Sequence, residues 1–245
     1  MAREHLEGLS AASRCLIAMA TFLDLVNRVG RESGTISQSQ ELADVANANG
    51  RQAKIVGWTR QAWEMIQRER SDWTFRRKRF WLQLVPGQVE YRPAAFDAEW
   101  GGWILGGNAW STLTIHDPAI GRGDENRLEI VPFERWLDTY DIGAPQEHRP
   151  NVAAFGYGDR ALHVGPPPDK AYMVRGWCQR KVQSLTASDD IPYIHEDYHD
   201  AIIWRALMLL GDDDEAQWEV ASSTAEYGVF RSQMVSAYTD PVVLT

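Results

Sequence analysis

The spacing of apolar residues changes twice along this chain, and each change narrows the folds open to it. Across residues 51–70, Ile55, Trp58, Ala62, Met65 and Ile66 recur every three or four positions, which predicts an amphipathic helix. Trp58 lies on that stripe and is expected in the core, whereas Trp63 lies off it and is expected to serve a partner. Beyond Asp72 the period falls to two: Phe80, Leu82 and Leu84 alternate with Trp81, Gln83 and Val85. Pro86-Gly87 then turns the chain into residues 88–91, a hairpin signal. Further strands are predicted at 103–105, 111–116, 126–131, 152–157, 161–164 and 171–179, with a helical interruption at 133–140. Helical spacing returns after Pro192 through Ile194, Tyr198, Ile202, Ala206 and Leu209. Gly211 is expected to stop that helix, leaving Asp212, Asp213, Asp214 and Glu215 at the positive end of a last helix that finishes before Pro241.

Upstream, residues 13–28 predict another helix with Leu16, Ala20, Leu23 and either Val26 or Asn27 on one stripe, and a short helix is expected at 41–48. Together these readings give an α+β fold, a helical bundle from the N- and C-terminal segments with an inserted antiparallel β-rich domain. The expected division is 1–71 and 190–240 for the bundle, 72–189 for the insert, and 241–245 for an extended C-terminal tail. In that tail Pro241 ends the helix, and Val242, Val243 and Leu244 favour extended backbone and are expected to dock on a neighbour.

Composition removes several classes. The 245 residues hold two cysteines, Cys15 and Cys178, which excludes a disulfide scaffold and fits a reducing compartment. No apolar run approaches the roughly 20 residues of a membrane span, and the first twenty residues do not read as a signal peptide. A soluble intracellular chain with no membrane association is expected. The net charge of −9 is concentrated after residue 190, where Arg205 and Arg231 face ten acidic residues. Gripping DNA through its phosphates needs a basic face, so that segment would repel it. Eleven tryptophans exceed what a core of this size requires, and dense aromatics often serve contacts.

One catalytic pattern is present. His195-Glu196-Asp197-Tyr198-His199 matches H-E-x-x-H, in which two imidazoles on one helix face hold zinc and the glutamate acts as base. Its position just after Pro192 and the absence of a third histidine at Arg205 argue against a zinc hydrolase. No phosphate-cradling glycine loop and no nucleophile elbow occurs. Cys15 and Cys178 read as packed residues, and Asp189-Asp190 as a helix cap. Arg76, Arg77, Lys78 and Arg79, set among Trp73, Phe75, Phe80 and Trp81, form the densest positive charge. They fit a charged edge strand or subunit contact, with a nucleic-acid-binding module as the rival reading. No catalytic residue, cofactor or metal is expected.

Residues 56–79 (VGWTRQAWEMIQRERSDWTFRRKR), 79–91 (RFWLQLVPGQVEY), 131–143 (VPFERWLDTYDIG), 160–168 (RALHVGPPP) and 201–211 (AIIWRALMLLG) occur in an order that resembles the phage adaptor proteins, the head-to-tail connector subunits beneath the portal of tailed bacteriophages. The resemblance implies a non-enzymatic virion protein at the head-tail junction, assembled in the host cytoplasm. It implies a homo-oligomeric ring of about twelve copies docked on a dodecameric portal protein, a platform for a downstream neck or tail protein, and a channel passing genomic DNA without sequence-specific binding. The HEDYH sequence is a departure from the family pattern. Repulsion between acidic C-terminal segments is expected to make ring formation depend on the portal as template.

Overall fold

The computed structural model describes residues 20–104, 113–158, 160–214 and 217–239. Four longer helices lie towards the chain ends: α1 (Phe22–Glu32), α2 (Gly50–Arg68), α5 (His199–Asp214) and α6 (Gln217–Tyr238). Between them, among the described residues, run nine strands and two short helices, α3 (Pro93–Phe96) and α4 (Phe133–Trp136), the latter continued by a wider π-helical turn at Leu137–Asp141. The fold is therefore α+β.

α5 packs between α2 and α6, and α1 lies against both α2 and α5. α1 starts at Thr21 because Thr21 and Asp24 cap one another, each side chain accepting the other's backbone N–H. The loop before Pro192 pins the same helix end, as Asp190 and Ser188 carbonyls accept from Phe22 N (2.7 Å) and Leu23 N (3.1 Å). The shared core includes Phe22, Val26, Ile55, Ile66, Trp73, Leu185, Ile202 and Leu210.

Two expectations for α2 reverse. Trp63 is 0% exposed and Trp58 is only half-buried. The buried face runs through Ile55, Val56, Thr59, Ala62, Trp63, Ile66 and Gln67. A stripe drawn through apolar residues alone misplaces this face, because Thr59 and Gln67 bury satisfied polar groups. The Thr59 hydroxyl donates to the Ile55 carbonyl at 2.8 Å, one turn back. Gly211 likewise does not stop its helix: Asp212, Asp213 and Asp214 still belong to α5, and Glu215 lies outside the described residues. The predicted helix at 41–48 is reduced to a 3-10 turn at Val45–Asn47.

The strands form two sheets. In the first, β1 (Arg77–Gln83), β9 (Met173–Arg180), β4 (Thr114–His116) and β5 (Asn126–Arg127) lie in that order, and β3 (Trp100–Trp103) also pairs with β9. In the second the order is β2 (Glu90–Tyr91), β8 (Leu162–Gly165), β7 (Val152–Phe155) and β6 (Glu129–Ile130). All pairings are antiparallel except β6 with β7, so the second sheet is mixed, not purely antiparallel as expected. Phe80, Leu82, Ile115 and Val174 from one sheet share a core with Tyr91, Leu162 and Val164 from the other.

The expected hairpin across Pro86-Gly87 does not form. β1 pairs with β9 and β2 with β8, so the turn carries the chain from one sheet to the other. The Tyr91 hydroxyl holds the crossing: it accepts from Val85 N and donates to the Gln88 carbonyl, both at 2.9 Å. A second crossing divides the predicted strand at 126–131 into β5 and β6, with Leu128 buried between them.

Candidate functional site

The basic segment leaves the helical core at Trp73 and enters β1, and its four cations meet different surroundings. Arg76 points inward, donating to the backbone carbonyls of Gln67 (3.0 Å) and Arg180 (2.7 Å). Burial pushes the Arg76 guanidinium pKa below its ordinary value. Lys78 bridges Asp97 (3.2 Å) and Glu99 (2.7 Å), and the Glu99 carboxylate holds its ammonium above the ordinary range. Arg77 is half-buried opposite Gln179. Arg79 alone of the four is exposed, its guanidinium 4.8 Å from the centre of the Trp177 ring. These residues are adjacent in sequence but do not make one continuous basic face, because strand alternation and burial send them to different places.

Trp63, the other expected contact in the described residues, is enclosed. Its ring stacks on Phe75 with centroids 5.7 Å apart, and its indole N–H donates to Gln183 Oε1 at 3.0 Å. Full burial removes it from any surface. Val242, Val243 and Leu244 lie outside the described residues.

The H-E-x-x-H pattern is not assembled as a metal site. His195 is exposed and caps the turn Glu196–Tyr198, its Nδ1 accepting from Asp197 N at 3.4 Å. His199 is 2% exposed, with Nε2 3.2 Å from the Ile194 carbonyl. The two imidazoles thus face solvent and core respectively, and among the described residues no three candidate ligands converge. Burial lowers the pKa of His199, which favours the neutral ring. Cys178 is buried and its thiol pKa is pushed up to about 11, first by burial, which suits packing and not nucleophilic chemistry. Asp190 does not cap a helix as expected; its carboxylate closes a loop by accepting from Thr186 N (2.6 Å) and Ala187 N (2.8 Å).

The outward face of the first sheet carries a feature missed by the linear charge run. Register places Arg79 opposite Trp177 and Trp81 opposite Arg175, while Arg175 faces Thr114 and Thr114 faces Arg127. Trp81 is 57% exposed and Trp177 39%. Arg122 joins from the turn before β5, reaching Glu125 at 3.4 Å. The Glu125 carboxylate also pairs with Arg175 and accepts from the Thr114 hydroxyl, which leads the interactions holding its pKa below the ordinary range. Strand alternation exposed Trp81 in the sequence, but the arginines contributed by β5 and β9 are far away along the chain.

These features define the class first: an α+β protein whose outer sheet face sets arginines beside exposed tryptophans. The chain matches the SU10 adaptor protein model over residues 20–240 and belongs to that family, a family of phage structural adaptors. The match runs through both helical ends and the strands between them. No curated protein matches the chain. Among the described residues, no helix is long and apolar enough to cross a membrane.

Proposed function

We infer that this chain is a head-to-tail adaptor subunit of a tailed phage virion, forming a ring of about twelve copies against the portal protein. The ring continues the channel through which genomic DNA passes and offers its far side to a neck or tail protein. Its work is geometric: it matches one ring to the next, and it needs neither a catalytic residue nor a cofactor. The supporting observation is the family match, which spans nearly all the described fold instead of a single motif. Val242, Val243 and Leu244 are assigned to docking, adding a short extended segment to the portal or a neighbouring subunit.

The zinc-hydrolase reading has no support in the opposed settings of His195 and His199. The test is a phage carrying a deletion of this gene. Heads packaged with DNA and holding portal, but bearing no tails, are expected, with tails restored when the purified chain is added. Tailed, infectious particles assembled without the chain would refute the assignment.

A further inference from the structure

β1 is an end strand of the first sheet, and one side of it is open. Leu84 N donates to the Tyr172 carbonyl at 2.7 Å, and the same register sets Leu82 opposite Val174 and Phe80 opposite Gly176. Alternate residues of an antiparallel strand bond to the same neighbour, so the N–H and C=O groups of Arg79, Trp81 and Gln83 point away from β9. Among the described residues no strand pairs with them there. An open edge is a template for a further strand, and proteins shield such edges with charge, proline or a covering segment. Here the shield is thin. Arg79, Trp81 and Gln83 are all exposed, and the apolar side chains of Trp81 and Val85 are 57% and 51% exposed.

The charge beside this edge is also unmatched. The chain has a net charge of −9, yet four arginines, Arg79, Arg122, Arg127 and Arg175, meet on the outer face of this sheet. Arg122 and Arg175 share Glu125, whereas Arg79 and Arg127 have no carboxylate partner among the described residues. Arg79 and Arg175 also wall one cavity of about 90 Å³ with Thr114, Gly176 and Trp177. Two guanidiniums at one cavity attract a carboxylate.

We propose that the open edge of β1 receives an extended acidic segment of a partner protein, which pairs with the backbone of Arg79, Trp81 and Gln83 and sets a carboxylate beside Arg79. Residues directly opposite on neighbouring strands share a face, so every second side chain of the segment lies alongside Arg79 and Trp81. Nucleic acid matches the edge less well. A DNA backbone offers acceptors alone and leaves the edge carbonyls without donors, and Arg79 already covers one face of the Trp177 ring, where a base would stack. The contact needs neither ring closure nor the portal, so it goes beyond the assembly assignment and stands apart from it.

Amide hydrogen exchange of the full chain, read residue by residue by NMR, tests it with a short peptide alternating glutamate and valine as the probe. The peptide is expected to slow exchange at Arg79, Trp81 and Gln83, and to leave Phe80 and Leu82, which bond to β9, unchanged. A peptide with lysine in place of glutamate binds roughly tenfold or more weakly. Arg79→Glu, at an exposed position, keeps its melting temperature and reverses that preference. Two N-methylated forms of the acidic peptide separate strand pairing from charge alone: methyl groups on one alternate set of amides abolish binding, and on the other set spare it. Unprotected amides at the three positions, equal binding of acidic and basic peptides, or equal binding of the two methylated forms overturns the proposal. Protection of the same amides in the chain alone as its concentration rises gives the edge to a second copy and also overturns it. So does protection by single-stranded DNA in place of the peptide. Portal docking is measured without the peptide, so failure here leaves the ring assignment standing, and failure to bind portal leaves this contact standing.

Discussion

The Gln67 side chain pairs with the backbone of Gln183 as a strand would, donating from Nε2 to the carbonyl and accepting from the amide, both at 2.8 Å. The Gln183 side chain extends the junction, accepting from Trp63 Nε1 and Tyr193 N at 3.0 Å and donating to the Ile191 carbonyl at 2.8 Å. This junction fastens α2 to the chain returning from β9, so it couples the helices to the first sheet.

Gln67→Ala leaves the partly buried N–H and carbonyl of Gln183 without their partner. At about 1–3 kcal/mol for each unsatisfied group, the expected loss is roughly 2–5 kcal/mol. Urea unfolding should show a lower midpoint at unchanged slope. A change below about 0.5 kcal/mol would mean that water replaces the amide without cost.

The two tryptophans of α2 should separate in the same assay. Trp63→Ala opens a cavity and removes an indole hydrogen bond, for about 3–5 kcal/mol. Trp58→Ala, at a half-buried position where Lys54 lies 5.7 Å from the ring centre, should cost about 1 kcal/mol. The reverse order would place the buried face where apolar spacing alone puts it.

The basic segment should divide as well. Arg76→Met removes two charge-assisted, partly buried hydrogen bonds to backbone carbonyls and is expected to cost about 2–4 kcal/mol. Arg79→Ala, exposed on the sheet face, should stay within about 0.5 kcal/mol. Thermal melts of the two variants check this split.

His199 sets a pH dependence. Its folded pKa lies below its ordinary value near 6.5, so in the window beneath that value the unfolded chain binds the extra proton. The stability that neutral His199 contributes is complete above about pH 6.5 and declines as pH falls towards the folded pKa. His199→Gln should flatten that part of the stability profile. A slope unchanged by the substitution would assign it to other groups.

Periodicity made the order of helices and strands legible, because burial on one face leaves its repeat in the apolar residues. The buried amides left less of a trace. Asn27 clamps the backbone of Leu42 just as Gln67 clamps Gln183, with bonds of 3.0 and 2.8 Å; apolar spacing leaves Asn27 level with Val26 as the last residue of its stripe, but gives no sign that Gln67 is buried. Trp63 was misassigned because the polar residues sharing its face were excluded from the stripe. The sheet crossings at Pro86-Gly87 and Leu128 were hidden because a turn signal marks a change of direction but not the strand that follows as partner. The candidate contact face was half visible: alternation in β1 exposed Arg79 and Trp81, while Arg127 and Trp177 reach them only through pairing with distant strands.

The central claim is that this chain closes a ring on the portal. Native mass measurement of purified portal mixed with excess full-length chain tests it most directly. One dominant complex is expected, a portal ring carrying a complete set of about twelve copies, with few partly filled species. Portal and chain that remain separate, or a single copy bound per portal ring, would contradict it.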